Sequence, residues 1–133
     1  MKPSPPKLVL VVDDEPSITM TTAAILELNG FRTATANDGV AALELALKLR
    51  PDLVLSDVVM PRMNGVQLAI ALREKLPATR ILLFSGNAAT ADVLAGARRQ
   101  GHRFKLLSKP VPLEELLQAI NAALRPHLGA AAA

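Results

Sequence analysis

Leu8-Val9-Leu10-Val11-Val12-Asp13-Asp14-Glu15-Pro16 is an apolar run that stops abruptly on acids and then a proline. The apolar part is short and rich in β-branched residues, as a strand buried on both faces should be. Pro16 suits a first helical turn, where its missing N–H costs nothing, with Asp14 or Glu15 near the N-cap. The stretch reads as strand, acidic turn, helix. The same order recurs along the chain. Leu53 to Leu55 leads through Ser56 to Asp57, Ile81 to Phe84 ends in Ser85, and Phe104 to Leu107 leads to Lys109-Pro110. If these runs are parallel strands of one sheet, their polar ends share its carboxyl edge, where open α/β sheets bind ligands.

The segments between them carry helical signals. Ile18, Thr22, Ile25 and Leu26 form one face, stopped by Gly30. Phe31 to Ala36 is the second strand. Asn37-Asp38-Gly39 opens the next helix, with Val40, Leu43 and Leu47 on one stripe and Pro51 at its end. Leu68, Leu72 and Leu76 are spaced four apart, and Pro77 closes that helix. A fourth helix near Ala88 to Gln100 is Ala-rich and offers few large apolar residues, which implies lower local stability. Leu113, Leu116, Leu117, Ile120 and Leu124 mark the last helix, ended by Pro126. Alternating strands and helices with short links predict a parallel sheet covered on both faces.

At 133 residues the chain suits one domain, predicted over 7–125, with flexible termini at 1–6 and 127–133. Half of its residues are apolar, enough for a real core and too many for wholesale disorder. It has no cysteine, which excludes disulfides, thiolate zinc sites and thiol catalysis. No signal-peptide pattern precedes Asp13, and no run approaches a membrane span, so the chain reads as cytoplasmic. Net charge is +3, yet there is no Tyr or Trp and no DNA-reading motif, so direct nucleic-acid binding is not expected.

The polar ends suggest phosphoryl transfer. Asp57 closes the central run and precedes an irregular segment, and it is the candidate nucleophile. Asp13 and Asp14 are candidate ligands for a magnesium or manganese ion, which would also relieve the repulsion of neighbouring carboxylates. Ser85 could donate to a phosphoryl oxygen, and Lys109 supplies a positive charge. Each alone has a plainer explanation, as a helix cap, a turn residue or a solvated lysine. Their joint placement at one sheet edge favours chemistry.

In these four segments the chain resembles a response-regulator receiver domain of the CheY-like superfamily. They are Val11 to Pro16, Ser56 to Gly65 (Ser-Asp-Val-Val-Met-Pro-Arg-Met-Asn-Gly), Leu83 to Gly86, and Leu107 to Pro110. The resemblance spans about residues 7 to 125. It implies a flavodoxin-like (βα)5 three-layer sandwich with five parallel strands in the order 2-1-3-4-5. It implies a phosphoacceptor Asp57, charged by a histidine kinase or histidine phosphotransfer protein. The metal ligands would be Asp13, Asp14, Asp57 and the backbone carbonyl of Val59. Ser85 becomes the hydroxyl switch residue, and Lys109-Pro110 resembles the family's cis peptide. The domain would be no enzyme toward a separate substrate, catalysing only its own phosphorylation and dephosphorylation. A downstream protein would dock on the fourth helix, fifth strand and last helix, where Arg98, Arg99, Arg103 and Lys105 suit an acidic surface. The protein would be a monomer or weak dimer, acting as a stand-alone regulator.

One position departs from the family's pattern, and two others bear on the lifetime of the phosphoryl group. Leu106 stands where many receivers carry a Tyr or Phe, so aromatic switching cannot pass through it. Val59 and Asn87 stand where hydrolysis is tuned. Valine cannot orient an attacking water, so slow self-dephosphorylation is expected. Other classes fit less well. No Gly-rich loop follows the first strand, which removes dinucleotide and P-loop readings. An aspartate phosphatase would use Asp13 with Glu15, but this length leaves no room for a cap. His102 and His127 sit in a loop and a tail, so the chain reads as acceptor and not phosphohistidine donor. A receiver-like scaffold that is never phosphorylated, and a receiver fragment of a larger regulator, remain alternatives.

Overall fold

The computed structural model describes residues 5–86 and 90–125. Five parallel strands form one sheet: β1 (Leu8–Val12), β2 (Arg32–Ala36), β3 (Leu53–Asp57), β4 (Arg80–Ser85) and β5 (Lys105–Ser108), in the order β2-β1-β3-β4-β5. Five helices connect and follow them: α1 (Pro16–Leu28), α2 (Gly39–Leu49), α3 (Gly65–Lys75), α4 (Thr90–Arg99) and α5 (Leu113–Leu124). This is the flavodoxin-like α/β architecture expected from the sequence. Asn87, Ala88, Pro126, His127 and the two outermost stretches of the termini lie outside the described residues.

Alternate strand residues face opposite layers. Val9, Val11, Leu53, Leu55, Leu82 and Leu107 pack with Leu26 of α1 and Leu116 and Ile120 of α5. Leu10, Val12 and Val54 pack on the other face with Ala42 and Ala46 of α2 and Leu68 and Leu72 of α3. Val58 and Leu83 meet Val66 and Ala69 of α3 and Leu94 and Ala97 of α4, with Leu106 alongside. Being covered on both sides is why the central strands carry no polar alternation.

The helix faces differ from the leucine-based expectation in three places. On α2 the core side is Ala42 and Ala46, while Val40 and Leu47 are exposed. The helix start lies so close to the β3–α3 loop that a Cβ on Gly39 would sit 2.6 Å from the Met63 carbonyl oxygen. Small residues permit that approach, so the larger side chains turn outward. On α1, Thr19, Ala23 and Leu26 are buried, whereas Ile18, Thr22 and Ile25 are half-buried beside α5. The α3 stripe of Leu68, Leu72 and Leu76 is buried as expected. Leu113, at the first turn of α5, is exposed. Among the described residues, no helix is long and apolar enough to cross a membrane.

Candidate functional site

Registered parallel pairing brings the strand ends together. Val12 is level with both Ala36 and Ser56, Asp57 with Phe84, and Ser85 with Ser108. Asp13 and Asp14 therefore leave β1 beside Asp57 on β3, and Lys109 leaves β5 on the other side. Asp13, Asp14 and Asp57 each offer an oxygen, and these three atoms lie within 4.8 Å of one another. Lys109 Nζ lies 3.4 Å from Asp13 Oδ2 and 3.4 Å from Asp57 Oδ2. One ammonium thus bridges two acids, and the third, Asp14, is exposed.

The surroundings fix these groups. Asp13 is buried and accepts from the Glu15 N–H at 3.0 Å, which shapes the turn into α1. Glu15 is the N-cap position and makes no side-chain cap bond, and Pro16 occupies the first turn. Val58 N donates to the Phe84 carbonyl at 3.1 Å, and Gly65 N donates to the Val58 carbonyl at 2.8 Å, closing the irregular segment after Asp57. Asn64 and Gln67 cap α3 reciprocally through side chain and backbone. Gly65 is required there, because a Cβ would overlap the Asp57 carbonyl oxygen. Arg62 lies 3.7 Å from Asp38, the N-cap of α2, an exposed pair worth little by itself. The Lys109-Pro110 bond is cis. Lys109 N donates to the Ser85 carbonyl at 2.7 Å, which holds the ends of β4 and β5 together. Ser85 is half-buried, and Val59 lies exposed on the β3–α3 loop.

Charge and burial compete here. Burial pushes the Asp57 carboxyl above its ordinary range; Lys109 opposes that and Asp13 adds to it. Burial works against the Lys109 charge, but Asp57 and Asp13 together hold its pKa above the ordinary lysine value. One cation shared by two acids explains both directions: Lys109 has charge partners in surplus, and Asp57 has too little compensation.

Three hard carboxylate oxygens within reach of one another, one of them open to solvent, fit a small divalent cation that keeps several waters. The sequence marks Asn37 only as part of the turn that opens the second helix, yet it also serves the site. Its Nδ2 donates to the Asp13 carbonyl at 2.9 Å and to Thr19 Oγ1 at 3.1 Å, bracing the acidic turn. The available signal was its place directly after β2, at the same sheet edge.

The profile described as "Response regulator receiver domain" matches residues 9–121. The chain belongs to the response regulator receiver family. Receivers of this family generally bind Mg2+ in an acidic pocket and interact with histidine kinases or phosphotransfer proteins. The "Probable transcriptional regulatory protein TcrX" of Mycobacterium tuberculosis is 36% identical over 120 residues, covering 90% of this chain and 50% of TcrX. The "DNA-binding response regulator MtrA" of Mycolicibacterium smegmatis is 36% identical over 117 residues, 88% of this chain and 50% of MtrA. This receiver therefore spans about half the length of those curated relatives. Among solved structures, a receiver domain protein from Clostridium thermocellum superposes with a TM-score of 0.80 at 28% identity, covering 89% of this chain and 94% of that one. Vibrio cholerae chemotaxis protein CheY4 gives 0.75 at 32% identity, covering 90% and 99%.

Proposed function

We propose that this receiver accepts a phosphoryl group on Asp57 from the phosphohistidine of a kinase or phosphotransfer protein. The observation that carries the reading is the bridging position of Lys109, 3.4 Å from both Asp13 and Asp57, beside three converging carboxylates. An Asp57 oxygen attacks phosphorus, the N–P bond breaks, and the imidazole leaves. Asp13, Asp14, Asp57 and the Val59 carbonyl would hold Mg2+ or Mn2+. When bound, the cation supplies charge neutralisation for the phosphoryl oxygens. Lys109 stays within reach of the same oxygens, and Ser85 donates a hydrogen bond to one of them. No separate substrate is turned over.

An apolar cleft of about 210 Å3 beside Lys109, lined by Ile18, Thr22 and Ile25 of α1 and by Val111 and Leu113, offers the donor a surface at the rim. Output is proposed through the face of α4, β5 and α5, biased by phosphorylation. Leu106 packs in the apolar cluster between sheet and α4, so the signal would pass through repacking there and not through an aromatic rotation.

The test is intact mass after incubation with Mg2+ and acetyl phosphate, for the wild type and for Asp57→Asn. One Mg2+-dependent phosphoryl adduct, absent from the variant, is expected. An adduct that persists in Asp57→Asn would name a different aspartate. No adduct from either acetyl phosphate or a phosphorylated phosphotransfer domain would favour an unphosphorylated scaffold. The half-length match to a transcriptional regulatory protein and a DNA-binding response regulator supports a second reading, in which this is the receiver portion of a longer regulator. The mass of the protein isolated from its own cells separates that reading from a stand-alone regulator.

A further inference from the structure

Asp14 is the least supported of the three acids. It is exposed, and among the described residues it forms no ion pair, whereas Lys109 reaches both Asp13 and Asp57. Its place therefore depends on the backbone that carries it. The peptide unit joining Asp13 to Asp14 is planar, so fixing the direction of its carbonyl restricts where Asp14 can lie relative to Asp13. Asn37 fixes that direction. Its Nδ2 donates to the Asp13 carbonyl at 2.9 Å and to Thr19 Oγ1 at 3.1 Å. The Thr19 hydroxyl in turn donates to the Pro16 carbonyl at 3.0 Å. One amide thus pins the acidic turn at both ends, at Asp13 directly and at Pro16 through Thr19.

The ordinary role of an asparagine before a helix does not account for these bonds. Asp38 already caps α2, accepting from the Ala41 N–H at 2.7 Å. Asn37 is itself exposed, so it adds little apolar burial. Its amide instead crosses to the β1–α1 turn and to α1. The two residues after it reach the opposite wall of the site. Asp38 lies 3.7 Å from Arg62, and a Cβ on Gly39 would come within 2.6 Å of the Met63 carbonyl oxygen. Arg62 and Met63 belong to the β3–α3 loop, which also carries Val59. The β2–α2 loop is therefore wedged between the two backbone segments that bear the proposed ligands.

We infer that Asn37 is a positioning residue for the cation, and that the β2–α2 loop it anchors sets the site's preference for Mg2+ over the larger Ca2+. The inference rests on the proposed cation site of Asp13, Asp14 and Asp57. Mg2+ demands near-octahedral oxygens at about 2.0–2.1 Å, while Ca2+ accepts about six to eight oxygens at about 2.3–2.6 Å in looser arrangements. A braced turn favours the stricter ion, and releasing the brace costs Mg2+ more than Ca2+. Residues that orient metal ligands without touching the metal typically change its affinity by about 10- to 100-fold. The exposed setting of Asn37 places it at the lower end of that range.

The test titrates the 15N-labelled full chain with Mg2+ and, separately, with Ca2+, and reads both dissociation constants from the amides of Asp13, Asp14 and Asp57. Asn37→Leu keeps the size of the side chain and removes both donor contacts. Its Mg2+ affinity should fall about tenfold and its Ca2+ affinity by less than about threefold. Acetyl phosphate uptake, followed by intact mass, should need correspondingly more Mg2+ to reach half its maximal rate. The metal-free melting temperature should stay within about 2 °C of the wild type, as for a surface substitution. Thr19→Val keeps the buried shape and should lose part of the Mg2+ affinity, and Thr19→Ser should restore it. This pair carries the test if Asn37→Leu folds poorly. Unchanged Mg2+ affinity in both Asn37→Leu and Thr19→Val, or equal losses for the two ions, would overturn the inference and leave the cation site standing. A wild type that binds neither ion below about 50 mM would overturn the site as well.

Discussion

Gly65→Ala and Gly96→Ala are the same chemical change with opposite expected signs. At Gly65 the new methyl overlaps the Asp57 carbonyl oxygen and lies 3.0 Å from both the Asp57 carbonyl carbon and Val58 Cα. All three are backbone atoms, so no side chain can swing aside. Overpacking of this kind costs roughly 3 kcal/mol, and the better helix propensity of alanine returns at most about 1 kcal/mol. A net loss of about 2 kcal/mol corresponds to roughly 6–10 °C in melting temperature for a domain of this size. At Gly96 the nearest atom is the tip of Arg99, 3.9 Å away, so alanine gains about 0.5–1 kcal/mol and a few degrees. Circular dichroism melts of both variants at neutral pH give the comparison. Acetyl phosphate uptake gives a second readout, because moving the Asp57 backbone by about 1 Å can slow transfer by roughly 100-fold. A Gly65→Ala protein that melts at or above the wild type would refute the claim that this glycine exists to let α3 approach the acceptor strand.

Burial raises the Asp57 pKa above 3.8, so its stabilising contribution is present below that ordinary value and lost as pH rises through the folded value. Without Mg2+, Asp57→Asn should therefore be more stable than wild type at pH 7 and lose that advantage on acidification; urea midpoints across the range would show it, and an advantage that grows toward acid would contradict it. Mg2+ at about 100 times its dissociation constant should stabilise the protein by about 2.7 kcal/mol, reversibly with EDTA, and Asp14→Asn should lose most of the effect in the same melts. Val59→Asn, on an exposed loop position, should shorten the phosphoryl half-life followed by intact mass without lowering the melting temperature; a half-life as long as that of the wild type would remove Val59 from the account of hydrolysis. Leu72→Ala, fully buried between sheet and α3, should cost about 2–5 kcal/mol, read as a shifted urea midpoint.

The sheet was legible because its inner strands are buried on both faces and so read as unbroken apolar runs closing on polar residues. The meeting of Asp13, Asp14, Asp57 and Lys109 follows from parallel direction alone. The faces of α1 and α2 were less legible. Hydrophobic spacing favours the largest side chains, but a helix pressed close to its neighbours buries Ala42, Ala46 and Ala23 and leaves Val40 and Leu47 outside. Asn37 reads in the sequence as a turn residue, because its bracing role depends on Thr19 and the Asp13 carbonyl, partners 18 and 24 positions away. The sharing of Lys109 between two acids is likewise a distance, and no spacing in the chain encodes it.

The stacked Arg73, Phe104 and His102 have a mechanical consequence for α4. They tie the loop after α4 to the end of α3, and Arg73 also donates to the Arg103 carbonyl. At the other end of α4 the buried Thr90 hydroxyl has no hydrogen-bond partner among the described residues. The helix is thus a lever held at its base by this stack. Ten residues make a beam of about 15 Å, so a tilt of about 10° at the clamp sweeps the tip through roughly 2.6 Å. The tip belongs to the same edge of the domain as Ser85, which puts the largest travel at the edge that carries the acids and the smallest at the stacked rings.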